Sequence, residues 1–201
     1  MQCAPSSAML APVGEVDTIA VLLVAVGYLV GSLPIANTVA RLRGAPDLRD
    51  VGDHNPGFWN ARSVLAPRDT TVVFVGDLAK GAIPAALALA LDTSWVVAYL
   101  AGLAAMVGHA WPMFAGFRGG RSVLTWVGTV AVVAPVPTLL AVVVLGIIWT
   151  ATRTFPLAVK IAVIAFPFIQ IALQGPWRTA MSGVLMTFVG LRFAAAARAE
   201  H

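Results

Sequence analysis

The sequence predicts an all-α, polytopic membrane protein of about seven transmembrane helices, two of them short. Composition is the first ground. Of 201 residues, 59% are hydrophobic and 11% charged, against about 25% charged in a soluble domain, and mean hydropathy is +0.87. Thirteen Lys and Arg with nine Asp and Glu are too few to clothe a water-facing surface. That excludes a soluble globular enzyme, a disordered tail and a nucleic-acid-binding domain. The second ground is a series of apolar runs, each near the roughly 20 residues that a spanning helix needs. The third is the collection of basic residues on alternate loops.

The chain reads as a single integral membrane domain over 1–201. The tail before Thr18 lacks the positive stretch of a signal peptide, so the first apolar run, 18–40, is expected to be a retained helix closed by Arg41 and Arg43. Runs over 70–91 and 94–114 are joined by a tight turn at Asp92 and Thr93. From Ser122 to Ala151 the chain is apolar for longer than one span requires. Pro135-Val136-Pro137 divides it, because paired prolines break the hydrogen-bond ladder and favour a turn, giving two short helices over 122–134 and 138–151. A sixth span is read at 156–173, a turn at Gln174-Gly175-Pro176, and a seventh at 177–197. The lone cysteine, Cys3, excludes an internal disulfide and a cysteine-based zinc site.

Charge sets the orientation. With the N-terminus outside, Arg41, Arg43, Arg49, Arg62, Arg68, Arg118, Arg121, Arg153, Lys160, Arg192 and Arg198 all fall on the cytoplasmic side, leaving Arg178 outside and Lys80 within a helix. Fusing the fourth and fifth spans moves four of these cations outside, against the positive-inside rule. The net charge of +4 is then explained by loops facing an anionic leaflet and calls for no nucleic-acid partner.

Polar residues concentrate in three places. The loop from Arg41 to Asp69 carries nine of the 22 charged residues. Its Val51, Phe58, Trp59 and Val64 ask for burial, while Gly52, Asn55, Gly57 and Asn60 suit a sharply turning backbone. Concave arrays of backbone N–H groups bind anions, and Arg49 and Arg62 offer the forked charge that phosphate prefers; a solvated loop facing lipid headgroups is the alternative. Phe117-Arg118-Gly119-Gly120-Arg121-Ser122 opens the fourth helix as either a phosphate cradle or a turn capped by Ser122. Asp77 and Lys80 share one helix face, about 10–15 Å along a helix counted from Thr70. Ionisable groups at that depth mark function or neutralise one another. His109, near the end of the third span, is either a packed histidine or a ligand contact.

The order and spacing of these residues resemble a known family. Gly31-Ser32-Leu33-Pro34, Asp47-Leu48-Arg49, Gly52-x-x-Asn55-Pro56-Gly57-x-x-Asn60, Asp77-x-x-Lys80-Gly81 and Gly108-His109-x-x-Pro112-x-Phe114-x-x-Phe117-Arg118-Gly119-Gly120-Arg121 follow the pattern of bacterial acyl-phosphate:glycerol-3-phosphate acyltransferases of the PlsY type. The resemblance implies a multi-pass enzyme of the cell inner (plasma) membrane, its site open to the cytoplasm. It moves a fatty acyl group from acyl phosphate to the 1-hydroxyl of glycerol 3-phosphate, giving lysophosphatidate for phospholipid biosynthesis, with no cofactor or metal. It assigns Arg49, Asp53 (in place of the family's serine) and Asn55 to catalysis. Asn60, Arg62, Asp77, Lys80, His109, Arg118, Gly119, Gly120 and Arg121 are assigned to substrate, with the Gly119 and Gly120 amides among the phosphate donors and an apolar groove for the acyl chain.

Several positions depart from that pattern. Asp53 needs a partner, with Arg49 and His54 the candidates. Phe58-Trp59 replaces a small hydroxyl-bearing pair, and the arginine expected at Ser63 appears one position early as Arg62. Ser122 stands where the family has glycine, and Phe193 and Ala196 stand where it has histidine and asparagine. These changes keep open a second reading, a fold-retaining homologue that binds a phosphorylated or lipid ligand, or a partner protein, without turnover. A small anion transporter built on Asp77 and Lys80 is a third, disfavoured by the absence of an internal repeat.

Overall fold

The computed structural model describes residues 18–199; the tail before Thr18, with Cys3 and the expected external N-terminus, lies outside the described residues. Among them all regular structure is helical: α1 (Thr18–Gly31), α2 (Ile35–Leu42), α3 (Phe58–Ala61), α4 (Pro67–Ala90), α5 (Trp95–Ala110), α6 (Val123–Val133), α7 (Pro135–Thr152) and α8 (Phe155–Ala199), with a short 3₁₀ turn at Met113–Ala115. Five stretches are long and apolar enough to cross a bilayer, α6 is a shorter apolar helix, and the last stretch, Phe155–Arg198, runs to 44 residues.

That last stretch folds back on itself. Gly175 has φ 78° and ψ 177°, and no helix continues straight through such a residue. Just before it, the Gln174 side chain reaches the Val133 carbonyl at the end of α6. Beyond it, Arg178 lies over Trp95 at the start of α5, while Phe188 and Arg192 reach Trp111 at the other end of α5. Counting both arms of α8 and the short α6, seven apolar passes are present among the described residues.

Local chemistry explains the breaks. α1 stops at Gly31 and helix resumes at Ile35 because Pro34 lacks an N–H and disfavours helical geometry before it. Between α6 and α7 the hinge is Ala134 alone, at φ −140° and ψ 60°. Pro135 and Pro137 fall within the first turn of α7, where a missing N–H costs nothing. The expected turn therefore lies slightly before the proline pair. α4 begins at Pro67 rather than Thr70, which puts Asp77 about 15 Å and Lys80 about 20 Å along it.

Packing follows the small residues. A Cβ on Gly27 or Gly31 of α1 would run into the Ala101 or Ala105 carbonyl of α5, and one on Gly108 of α5 into the Tyr28 carbonyl. α1 and α5 thus meet backbone to backbone, as small residues permit inside membranes. The same holds for α4 and α6 at Gly81 and Gly128. Away from the site, buried Tyr99 of α5 ties both arms of α8, bonding the Gln170 amide at 2.9 Å and Ser182 at 3.1 Å. The long loop is ordered around its own small core. Leu48, Ala61, Leu65 and Val73 are buried there, with Val51, Phe58 and Val64 packed against them, as their apolar character demands, whereas Trp59, expected to be buried with them, is 59% exposed.

Candidate active site

Loop 43–57 is pinned at its base by three side chains. The Asn37 amide donates to Asp47 at 2.8 Å and its oxygen accepts from the Leu48 N–H. The Asn60 amide donates to the Leu48 and Val51 carbonyls at 2.8 and 2.9 Å. Gly52, at φ 62°, sits where a Cβ would strike Asn60 Oδ1. Arg49 Nε and Nη2 donate to the two Asp47 oxygens at 2.9 and 2.5 Å, and Nη1 donates to the Ala115 carbonyl at 3.1 Å. Hydrogen bonds from the Arg49 side chain hold the Asp47 carboxyl well below the usual carboxylate range, at about 2, with burial opposing and the Arg49 N–H and Asn37 assisting. Asp47 in turn raises Arg49 above the ordinary arginine value. Arg49 thus joins the loop to the segment after α5.

Above this base the loop presents Asp53 and Asn55 to Arg121. Arg121 Nη1 donates to Asp53 Oδ2 at 2.8 Å, and the Arg121 N–H donates to Asn55 Oδ1 at 3.1 Å. The partner of Asp53 is therefore neither Arg49 nor His54; His54 instead places its Nδ1 3.1 Å from the Arg49 carbonyl. Phe193, from the end of α8, covers the Arg121 guanidinium at 4.9 Å.

The Gly119 and Gly120 amides are not available as an anion cradle. They donate to the Ala110 and His109 carbonyls at 3.2 and 3.0 Å, filling carbonyls that the end of α5 leaves without helical partners. Glycine is required there for close approach, since a Cβ on Gly119 would collide with the His109 carbonyl. Arg192 grips the outer side of this turn, donating from Nε and Nη2 to the Gly120 carbonyl at 3.3 and 3.2 Å. Ser122 adopts φ 62°, a conformation suited to glycine, and its hydroxyl donates to the Met106 carbonyl at 2.8 Å instead of capping α6.

Beneath lies the buried trio. Lys80 Nζ is 2.7 Å from Asp77 Oδ1 and 3.3 Å from His109 Nδ1, and Thr125 of α6 donates to the Asp77 carbonyl. Among the described residues no group of three or more His, Cys, Asp or Glu converges as metal ligands do.

These parts surround one large cavity of about 910 Å³. Asp53, Asn55, Asp77, His109 and Arg121 form its polar end. Val123, Val127 and Val130 of α6, Ala141 and Leu145 of α7 and Val163 and Phe166 of α8 form a long apolar wall. Phe58, Trp59 and Arg62 stand at its mouth, where Arg62 lies 5.1 Å over Trp59 and Trp59 stacks on Phe155 at 6.4 Å. Lys80, Arg118, Gly119 and Gly120 line a second, much smaller pocket, and neither Arg49 nor Asn60 lines either space. Sequence reading passes over Asn37 and takes Arg192 only as a topological charge. The signal for the first is a lone amide in an apolar run. For the second it is an arginine still inside the last span.

The fold and site define an integral membrane protein with a long apolar cavity ending at clustered cationic and amide groups. Comparison with known proteins makes this specific. The family model for glycerol-3-phosphate acyltransferase matches residues 21–199. A glycerol-3-phosphate acyltransferase of Rubrobacter xylanophilus is 37% identical over 171 residues, covering 85% of this chain and 83% of that one. One from Aquifex aeolicus is 37% identical over 157 residues, covering 76% and 80%. The crystal structure of PlsY (YgiH), an integral membrane glycerol 3-phosphate acyltransferase, in its glycerol 3-phosphate form superimposes with a TM-score of 0.78 at 33% identity, over 90% of both chains. Its lysophosphatidic acid form gives 0.75 at 32% identity over 87% of both. The chain belongs to the glycerol-3-phosphate acyltransferase family.

Proposed function

We propose that this protein is an acyltransferase that passes a fatty acyl group from acyl phosphate to the 1-hydroxyl of glycerol 3-phosphate, releasing lysophosphatidate and inorganic phosphate. The observation that carries this reading is the cavity itself, whose aliphatic wall runs from the bundle interior up to Asp53, Asn55, His109 and Arg121. Such a space suits a molecule with a long hydrocarbon tail and a phosphorylated head. Its volume exceeds the roughly 430 Å³ of a sixteen-carbon chain, taking about 27 Å³ per methylene at interior packing density.

Acyl phosphate is already activated, so positioning and charge stabilisation suffice without a protein nucleophile. The hydroxyl oxygen attacks the acyl carbon, the bond to the phosphate oxygen breaks, and the hydroxyl proton leaves on hydrogenphosphate. Arg121 is the phosphate clamp, with Asp53 its resident counter-ion until substrate arrives. Asn55 holds the Arg121 backbone, while Arg49 and Asn60 act by keeping the loop folded. Arg62 and Arg118 add positive field at the rims. The basic residues gathered at this end of the bundle orient it to the cytoplasm of a bacterial inner membrane.

The test is donor choice. Protein in lipid is given labelled glycerol 3-phosphate with either palmitoyl phosphate or palmitoyl-coenzyme A. Lysophosphatidate from the first alone is expected, and product from the thioester alone overturns the assignment of the donor.

A further inference from the structure

Of the described residues, His109 alone lines both the large cavity and the small pocket of about 20 Å³ beside it. Its ring is 7% exposed, and its surroundings decide which nitrogen carries the proton. Nδ1 lies 3.3 Å from Lys80 Nζ and 3.6 Å from Asp77 Oδ1. The carboxylate is beyond hydrogen-bond range, whereas an ammonium within range can only donate. Lys80 is paired with Asp77 at 2.7 Å, the two side chains being 4% and 2% exposed. Nδ1 therefore accepts, and the neutral ring carries its proton on Nε2. Nε2 has no protein partner among the described residues. It faces the bare Cα of Gly120, where a Cβ would come within 2.4 Å of Nε2 and 3.1 Å of Asn55 Oδ1.

We infer that Asp77 and Lys80 lock His109 as the Nε2–H tautomer, and that this N–H donates a hydrogen bond to an anionic oxygen of the bound phosphorylated substrate instead of removing the hydroxyl proton. The proton balance agrees. The hydroxyl proton ends on the departing phosphate, so the reaction needs no base from the protein and does need donors where charge gathers. With the Gly119 and Gly120 amides engaged elsewhere, His109 Nε2–H and the Arg121 fork are donors at the polar end of this space beside the Asn55 amide, while Arg62 stands at the mouth and the Trp126 N–H, unpartnered among the described residues, lies along the wall. The inference rests on the acyl-transfer reading for its substrate, but the tautomer can be measured without turnover.

The chain contains three histidines, His54, His109 and His201, so nitrogen-15 NMR of histidine-labelled protein in lipid is tractable, with His109→Gln identifying the signal. At pH 7 we expect a protonated Nε2 and an unprotonated Nδ1, and a mixture of tautomers in Lys80→Met. A protonated Nδ1, or an imidazolium, in the unaltered protein overturns the inference even if acyl transfer is confirmed. Kinetics supply the second arm. Gln places an amide nitrogen near the Nε2 position and cannot act as a base. His109→Gln should keep at least about a tenth of kcat/KM while His109→Ala loses about 100-fold or more, the usual effect of deleting one preorganised donor. Equal losses in the two variants contradict the donor role.

Discussion

Asp53 occupies the fork of Arg121 that a substrate phosphate would use, so replacing it with serine has a calculable effect. The pair is partly exposed, 18% on Arg121 and 34% on Asp53, with N···O at 2.8 Å. Pairs of that exposure contribute about 0.2–1 kcal/mol, and this interaction must be surrendered each time Arg121 turns to phosphate. A carboxylate left about 6 Å from the phosphate adds roughly 0.7 kcal/mol of repulsion in a water-like dielectric. Together these oppose binding by about 0.9–1.7 kcal/mol, so Asp53→Ser should lower KM for the phosphorylated substrate about five- to twentyfold. The cost in stability should not exceed about 1 kcal/mol. The assay is initial-rate formation of lysophosphatidate in lipid, with thermal denaturation of the same preparation. A folded Asp53→Ser protein whose KM is unchanged or raised refutes the idea that Asp53 competes with substrate.

Four further outcomes follow from the geometry. Asp77→Asn leaves Lys80 as a buried charge without its counter-ion and should cost about 3–5 kcal/mol, much of it recovered in the Asp77→Asn/Lys80→Met double variant, as read by denaturation. Ser122→Gly should be nearly neutral, because relief of a left-handed residue, about 1–2 kcal/mol, offsets loss of a buried hydrogen bond of about 1 kcal/mol. Ser122→Ala keeps the strain, loses the bond, and should melt earlier. Asp47 has its carboxyl lowered from 3.8 to about 2 by Arg49, so its contribution is complete above pH 4 and fades as pH falls through about 2; Asp47→Asn should flatten stability across that window. Gly27→Val, placed against the Ala101 carbonyl, should destabilise by at least about 1–3 kcal/mol on thermal denaturation.

The passes were legible in the sequence because hydropathy and arginine placement are one-dimensional signals, and membrane insertion reads them in much the same way. Pro135 and Gly175 marked two of the breaks through what their backbones cannot or can do, whereas the unbroken apolar run over 18–40 hid the one at Pro34, where α1 ends and α2 begins. Part of the polar end of the cavity was legible as a set of residues, since Asp77, His109 and Arg121 had to face something other than lipid. Their partners were not. That Asp53 pairs with Arg121, 68 positions away, depends on how loop 43–57 is laid over the end of α5, and no periodicity encodes that. The Gly119 and Gly120 amides resembled an anion cradle because the sequence does not show that the end of α5 lies within reach of them. Arg192 was hidden for the same reason, since its bond to the Gly120 carbonyl exists only after α8 folds back at Gly175.

The most direct measurement is turnover by the unaltered protein. Purified and reconstituted in lipid, it is mixed with palmitoyl phosphate and labelled glycerol 3-phosphate, and both products are followed. The account predicts lysophosphatidate and inorganic phosphate in equal amounts, with a Lys80→Ala variant far slower. Protein that is folded and binds glycerol 3-phosphate, yet forms no lysophosphatidate, would contradict the account and leave a family member that binds without transferring.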